Sequence, residues 1–267
     1  MTIKRALSIA GSAAQGSAGI QADLKTFQEH DVYGMSAVTA IVANNSITTK
    51  GIFIHDVEVI EAQYYAALEH VGVDVIKTGM LFSKEIIERV SLLLKEAPTE
   101  NIVVDPVMIG KMGSQLLQDD AINALRDRLI PLAKIITPNI HEAARLLEKG
   151  SIKTVEEMKE AAEELYQYGP GYVLVKGGAL AGEAIDVLYD GGNFTIYSKP
   201  RINTIHTSGA GCTYSSAIAA GLAKGQTVEK AVALAKEYVH AGINHALSFN
   251  RGIGSTDHAA LRKYGKE

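Results

Sequence analysis

Ser208-Gly209-Ala210-Gly211-Cys212-Thr213 follows an extended segment, Phe194 to Ile205, and opens an alanine-rich apolar run from Tyr214 to Ala223. The run reads as a helix: Ala217, Ile218 and Leu222 fall at helical spacing, and Gly225 supplies a stop. A glycine-rich turn that becomes a helix N-terminus leaves backbone N–H groups unpaired where the helix dipole is positive, which makes an anion site. The small residues let the backbone approach a bulky anion. The chain's one cysteine, Cys212, stands in this turn. A thiol at a helix N-terminus is expected to ionise more readily than usual and to act as base or nucleophile. The plainer reading of Cys212, a small core hydrophobe beside a tight turn, is outweighed here by the Gly-Ala-Gly around it.

Outward from this turn, strands alternate with helices. Arg5 to Ala10 reads as a strand, Ile20 to Glu29 as a helix, Ser36 to Ala43 as a second strand, and Ile60, Tyr64, Leu68 and Val71 as the stripe of a helix capped by Asp56. Strands at Val73 to Thr78, Asn101 to Val104, Lys134 to Ile136 and Tyr172 to Val175 are separated by helical patterns. One is capped by Ser83, one runs from Ala121 to Ala133, and one opens on the capping box Thr154-Val155-Glu156-Glu157. Ile185 to Tyr189 and Phe194 to Tyr197 form a hairpin turned by Asp190-Gly191-Gly192, and Val228 to Leu247 is a long helix. The expectation is one α/β domain over residues 1–267, with a central, mostly parallel sheet, helices on both faces and small β lid or hairpin elements. Ligands of such sheets sit beyond the carboxyl ends of the strands. Gly11, Asn44, Gly79, Asp105, Asn139 and Lys176 each follow a strand directly, so the fold gathers them along one edge, near Cys212.

Composition narrows the function. The 267 residues are 47% hydrophobic and 21% charged with a net charge of −4, and no basic run argues for nucleic acid or an anionic membrane. A single cysteine excludes an internal disulfide and fits a reducing, cytoplasmic setting. No apolar run approaches the roughly 20 residues that span a bilayer, and the short run Ala6 to Ala10 after Lys4-Arg5 reads as a buried strand, not a leader.

Asn139 and Glu142, three apart at a strand-to-helix turn, either hold a hydrated Mg²⁺ with Asp105 or cap a helix, and the two roles are compatible. Lys176, beside Gly177-Gly178, is placed to reach a phosphate. An anion hole, an acid pair, a lysine and a base are the parts phosphoryl transfer needs. Gly-x-x-x-x-Gly-Lys-Ser/Thr is absent, and Gly11, Gly16 and Gly19 lack the dinucleotide-fold spacing.

The same residues resemble the hydroxymethylpyrimidine/phosphomethylpyrimidine kinases of the ribokinase-like superfamily, relatives of pyridoxal kinases. The resemblance rests on Ala10-Gly11-Ser12, Ala18 to Phe27, Tyr33-Gly34, Lys77 to Leu81, Asp105-Pro106-Val107-Met108, Thr137-Pro138-Asn139 with Glu142, Lys176-Gly177-Gly178 and Gly209 to Thr213. It implies an ATP- and Mg²⁺-dependent kinase, a homodimer, acting on 4-amino-5-hydroxymethyl-2-methylpyrimidine and its monophosphate. By the same resemblance Cys212 is the base, and Gly209, Ala210 and Gly211 with it form the anion hole. Gly11, Asp23, Asn44, Met80 and Val107 line the substrate pocket; Asn139, Lys176, Gly178 and Thr213 serve ATP; and Asp105 and Glu142 serve the metal. A lid is expected around Gly110 to Gln115. Three positions depart from the family pattern: Ala13 where the Asp of a Gly-Ser/Thr-Asp signature is usual, Ser208 where His is usual, and Asn44 where Gln is usual. Pyridoxine or pyridoxal is the rival substrate. The second, lid cysteine of Gram-positive pyridoxal kinases is replaced by Gly110.

Overall fold

The computed structural model of the chain describes residues 3–110 and 115–265. Nine strands form one sheet: β1 (Lys4–Ala13), β2 (Val32–Val42), β3 (Ile52–Ile54), β4 (Val75–Thr78), β5 (Ile102–Val104), β6 (Ile135–Ile136), β7 (Val173–Lys176), β8 (Ala184–Tyr189) and β9 (Phe194–Lys199). Their order is β3-β2-β1-β4-β5-β6-β7-β8-β9. β2 through β7 along this order are parallel, β3 is antiparallel on one edge, and the β8–β9 hairpin closes the other. The helices are α1 (Ile20–Glu29), α2 (Val57–His70), α3 (Lys84–Lys95), α4 (Ala121–Ala124), α5 (Ile140–Leu146), α6 (Val155–Tyr166), α7 (Ala210–Ala223), α8 (Val228–Asn244) and α9 (Ala260–Tyr264).

Side chains alternate across a strand, so each central strand feeds two cores. Leu7, Ile9, Ile76, Ile102, Val104, Ile136, Val173 and Val175 pack on the face covered by α2 to α6. Ala6, Val75, Val103, Ile135 and Leu174 pack on the face covered by α1, α7 and α8. Ser8 and Lys77, register partners on β1 and β4, fall on this second face by the same alternation. α7 is buried from Thr213 to Ala223. Its alanines and Gly221 let it lie flat, and a Cβ at Gly221 would stand 2.8 Å from Ala231 Cβ of α8.

The expected elements form, with instructive shifts. α7 begins at Ala210, not Tyr214, because the turn is made by Gly209 alone. Tyr33 and Gly34 lie inside β2 rather than turning into it, since the missing Cβ of Gly34 makes room for Leu24 and Phe27 of α1. The segment after Ala121 widens into a π turn over Leu125–Leu129 and ends as a short 3₁₀ turn, Ile130–Leu132. Pro131 has no N–H to continue the ladder. Asp56 occupies its cap position without a side-chain bond, whereas Ser83 accepts from the Ile86 amide. The long helix stops at Asn244, and β9 stops at Lys199, so Pro200 to Ile205 is not strand. Of the expected lid, residues 111–114 lie outside the described residues; Ile109 and Gln115 flank them as an antiparallel bridge.

The capping box at α6 is complete: Thr154 Oγ1 accepts from Glu157 N, and Glu157 Oε2 accepts from Thr154 N, each at 3.1 Å. Thr154→Ala should therefore cost about 1 kcal/mol and lower Tm by about 2–4 °C. Turnover should not change, as thermal denaturation and a kinase assay on the same sample would show.

Candidate active site

Gly209 opens α7 and Gly19 opens α1, and each stands where a side chain would collide with backbone. Gly209 has φ +81°, and a Cβ there would run into Ser17 O; Gly19 has φ +62°, and a Cβ there would run into Gly11 O. Their smallness brings the N-termini of α1 and α7 together, so that Gly19 N donates to Cys212 Sγ at 3.4 Å. Ser17 and Ser208 close the same seam through a 2.9 Å hydroxyl pair. Of the α7 amides, Ala210 donates to Thr207 O and Thr213 to Gly209 O. Those of Gly211 and Cys212 have no carbonyl partner among the described residues, leaving donors where the dipole is positive.

A second group reaches this turn from the strand ends. Lys176 Nζ donates to Asp105 Oδ1 at 3.0 Å, and a Cβ on Gly211 would lie 3.5 Å from the same nitrogen. Thr137 Oγ1 binds Asp105 Oδ1 at 3.0 Å, and Ser215 Oγ, on α7, binds Asp105 Oδ2 at 3.2 Å. Lys176 is held by its own amide on Pro138 O, which ties the end of β7 to the Asn139 turn. Asn139 caps α5, and Glu142 completes the box by accepting from Asn139 N at 2.8 Å. Burial raises the Glu142 carboxyl to about 7, with Asp105 adding to the effect and Lys176 opposing it. Lys176 and Lys77 hold Asp105, against its burial, below the ordinary carboxylate range.

The thiol behaves contrary to the expectation from helix position. Burial pushes Cys212 up to about 11, and the pull of Lys77 and of the Gly19 amide offsets this only in part. At neutral pH the resting sulfur is a thiol.

Gly11 and Met80 meet: a Cβ on Gly11 would lie 2.9 Å from Met80 Sδ, and Val107 stands in the segment just past Asp105. Asn44 is exposed beyond β2, with its Oδ1 against Gly51. Two expected contacts are spoken for. Asp23 is fully buried, accepting from Lys77 Nζ at 3.0 Å on both oxygens, from Ser8 Oγ at 2.6 Å and from Ser216 Oγ at 2.6 Å. It lies in the core beneath the pocket rather than on its wall. Thr213 is equally buried, its hydroxyl paired with Thr256 Oγ1 and His258 Nε2. Its hydroxyl is therefore already engaged within the fold. A Cβ on Gly178 would meet nothing within 4 Å, so space is open there. Its carbonyl is held by Arg201, whose guanidinium also binds Leu180 O and Gly182 O and so clamps the loop after β7. His206 is structural, its Nδ1 accepting from Gly254 N at 2.9 Å. Arg201 and Ser215 carried no local sequence signal. Lys77 did: a lysine inside the apolar strand Val75-Ile76-Lys77-Thr78.

The phosphomethylpyrimidine kinase family model matches residues 14–257. The chain belongs to the phosphomethylpyrimidine kinase family. It is 45% identical to the pyridoxine kinase of Bacillus subtilis over 98% of both chains. It is 41% identical to that organism's hydroxymethylpyrimidine/phosphomethylpyrimidine kinase over 98% of this chain and 97% of the relative. The solved pyridoxal kinase of Staphylococcus aureus, in complex with AMP-PCP and pyridoxal, superposes with a TM-score of 0.93 at 37% identity, covering all of this chain and 97% of the other. The ribokinase-like sheet and an ATP-dependent small-molecule kinase activity follow from membership in this family.

Among the described residues no three His, Cys, Asp or Glu side chains gather as a metal cluster. Asp105 and Glu142 nonetheless suit Mg²⁺, which keeps its waters and takes one or two carboxylates plus substrate phosphates. Glu142 is a buried carboxyl whose nearest lysine already serves Asp105, so a cation would complete it.

The raised Glu142 carboxyl fixes a pH dependence. Unfolded, it ionises near 4.5; folded, it keeps its proton to about 7. Its contribution to stability is therefore full below 4.5 and is lost as pH rises through 7. Glu142→Gln retains an acceptor for the cap and removes the penalty. Metal-free Glu142→Gln should be more stable than the parent at pH 8, by at most about 3 kcal/mol, and the gap should close below pH 4.5. Urea titrations at the two pH values test this, and an equal gap at both would refute it.

Proposed function

We propose that the chain transfers the γ-phosphoryl group of ATP to the hydroxymethyl of 4-amino-5-hydroxymethyl-2-methylpyrimidine, and then to the resulting monophosphate. The observation that carries this reading is the meeting of Cys212 with the open amides of Gly211 and Cys212 and with Lys176, itself tied to Asp105. The relatives named for this activity support it. Once Cys212 has given its own proton to solvent, the thiolate Sγ takes the hydroxyl proton as that oxygen attacks the γ-phosphorus, and the bond from phosphorus to the ADP oxygen breaks. The Gly211 and Cys212 amides receive the charge on the transferring group. Lys176 and the turn at Gly178 hold the nucleotide phosphates, with Asn139 at the mouth of α5. Asp105 and Glu142 would hold Mg²⁺, which when bound would supply neutralisation of the phosphate charge. Gly11, Asn44, Met80 and Val107 line the ring pocket, and Asp23 supports its floor. With Gly110 in place of a lid cysteine, the device that engages an aldehyde is missing. The 45% identity to a pyridoxine kinase favours, as second reading, phosphorylation of pyridoxine or pyridoxal.

An ADP-release panel of the pyrimidine, its monophosphate, pyridoxine and pyridoxal tests the assignment. The first two should be the better substrates by kcat/KM, and a preference for pyridoxine or pyridoxal would establish the second reading. Cys212→Ala should lower kcat at least ~10²-fold. Because the sulfur rests as a thiol, parental kcat should rise from pH 7 toward pH 9, and the variant should lack that rise.

We further take residues 1–267 as a single cytoplasmic kinase domain that works as a homodimer. No described helix is long and apolar enough to cross a membrane. The short edge strand β3 leaves Phe53 and Ile54 exposed beside Ile41 and Ile47, an apolar edge suited to a second copy. Phe53→Glu should convert a dimer to a monomer in light scattering; a parent already monomeric would end this reading.

A further inference from the structure

Lys77 is the one lysine among the described residues whose side chain is wholly removed from solvent in an ion pair. It points from the centre of β4 into the layer of α1 and α7, at a position where alternation calls for an apolar residue. Removing an ammonium from water is costly, and such a group is kept only with good compensation. The compensation is complete. Both oxygens of Asp23 accept from Nζ at 3.0 Å, and each oxygen takes one further hydroxyl: Ser216 on Oδ1, and Ser8, the register partner of Lys77, on Oδ2.

The placement of this cluster relative to Cys212 is fixed by helix geometry. Asp23 donates its amide to Gly19 O, so it stands one turn into α1 from Gly19. Ser216 stands one turn into α7 from Cys212, four residues on. Gly19 N meets Cys212 Sγ at the upper turn; Asp23 meets Ser216 at the lower one. The two helices are therefore bolted in register at successive turns, about 5.4 Å apart, with Lys77 joined to the lower bolt from the sheet. Resting on the reading of Cys212 as the base, we infer that Lys77, anchored by Asp23, is a positioning residue for that sulfur: it locks α1 and α7 in register and sets a fixed positive charge one turn beneath Sγ.

The charged groups around the sulfur are Lys77 from β4, Asp23 from α1, Asp105 from the end of β5 and Lys176 from the end of β7. Lys77 favours ionisation of the thiol more than either carboxylate opposes it. In return Cys212, with Asp23 and Asp105, holds the buried ammonium above the ordinary lysine range despite its desolvation.

Cys212 is the only cysteine, and the residue is only partly buried, so alkylation by iodoacetamide reports this sulfur alone. Removing Lys77 by itself strands a buried carboxylate, so the pair is replaced together. Lys77→Met with Asp23→Leu exchanges it for apolar volume, a change buried pairs commonly tolerate. Lys77→Gln with Asp23→Asn keeps a polar bridge without charge. In either double variant, once circular dichroism shows it folded, the pH midpoint of alkylation should rise. The alkylation rate at pH 8 should fall about threefold or more, as expected for a loss of half a unit or more in ionisation. kcat should fall while KM for ATP stays within about twofold. A purely structural pair would leave the midpoint unmoved in the Gln/Asn variant, which retains the bridge. Either folded variant with parental midpoint and kcat overturns the inference, and one folded variant is enough to decide. The readout does not depend on the sulfur being the base. Parental turnover in Cys212→Ala with shifted midpoints in the double variants would strike down the base and leave the positioning of the sulfur standing.

Discussion

Two helix N-termini meet backbone to backbone, and everything at the site depends on how closely they do so. Gly19 and Gly209 hold left-handed conformations and carry no Cβ where Gly11 O and Ser17 O press in. With any side chain at either place, α1 and α7 would part, the Gly19 amide would leave Cys212, and the α7 amides would move from the ends of β5 and β7. A parallel sheet supplies the matching requirement. Its strand ends carry Asp105 and Lys176 to the same edge, and the Ser215 hydroxyl on Asp105 fastens the helix to that edge. The seam between helices and the seam between helix and sheet are separate hydrogen-bonded joints that share α7.

Much of this was legible in the sequence because it is local. The capping boxes at Asn139 and Thr154, the hairpin turned at Asp190, and the glycine-rich entry to α7 are written within a few residues each. Strand-end residues could be placed together because parallel topology leaves few alternatives. What escaped is what depends on residues distant in the chain. Asp23 reads as a pocket residue until its partners Ser8, Lys77 and Ser216 are seen to saturate it. Thr213 reads as a nucleotide contact until Thr256 and His258, some forty residues on, claim its hydroxyl. The ionisation of Cys212 was misjudged for the same reason. The helix terminus is local and visible in sequence, whereas the desolvation that opposes it comes from burial in the folded chain, where Gly19, far off in sequence, meets the sulfur.

The electrostatic design is one of neighbouring compensated pairs rather than a concentrated charge. Lys77 belongs to Asp23 and Lys176 to Asp105, while Glu142 sits beside the second pair with its proton retained. Before ligands arrive, the pocket thus holds little net charge that water would have to solvate. A polyphosphate and a divalent cation would enter together, the anion drawing on Lys176 and the α7 amides and the cation drawing on Glu142 and Asp105. Each ligand relieves the other's cost of desolvation, which explains how a strongly charged substrate can be taken into a site whose carboxylates and lysines are nearly all buried.

This arrangement also bears on which ring is phosphorylated. On the proposed reading, the charged pairs, the amides and Cys212 would act on a hydroxymethyl group and a phosphate, and these are common to a pyrimidine and a pyridine alcohol. Discrimination must then come from side chains that touch the ring and carry no part of the transfer. Met80 presses its sulfur against Gly11, and Val107 stands two residues past Asp105; on the proposed reading both, being apolar, would shape the slot without reading polar edges. Asn44 is the polar member of the set, its amide resting on Gly51, where any side chain would collide with it. On that reading, a shorter amide backed by a glycine would present its donors and acceptor to the ring edge from further away, and the slot would recognise the ring chiefly by shape. A family whose members named for the two activities resemble this chain almost equally is what such a division of labour would produce.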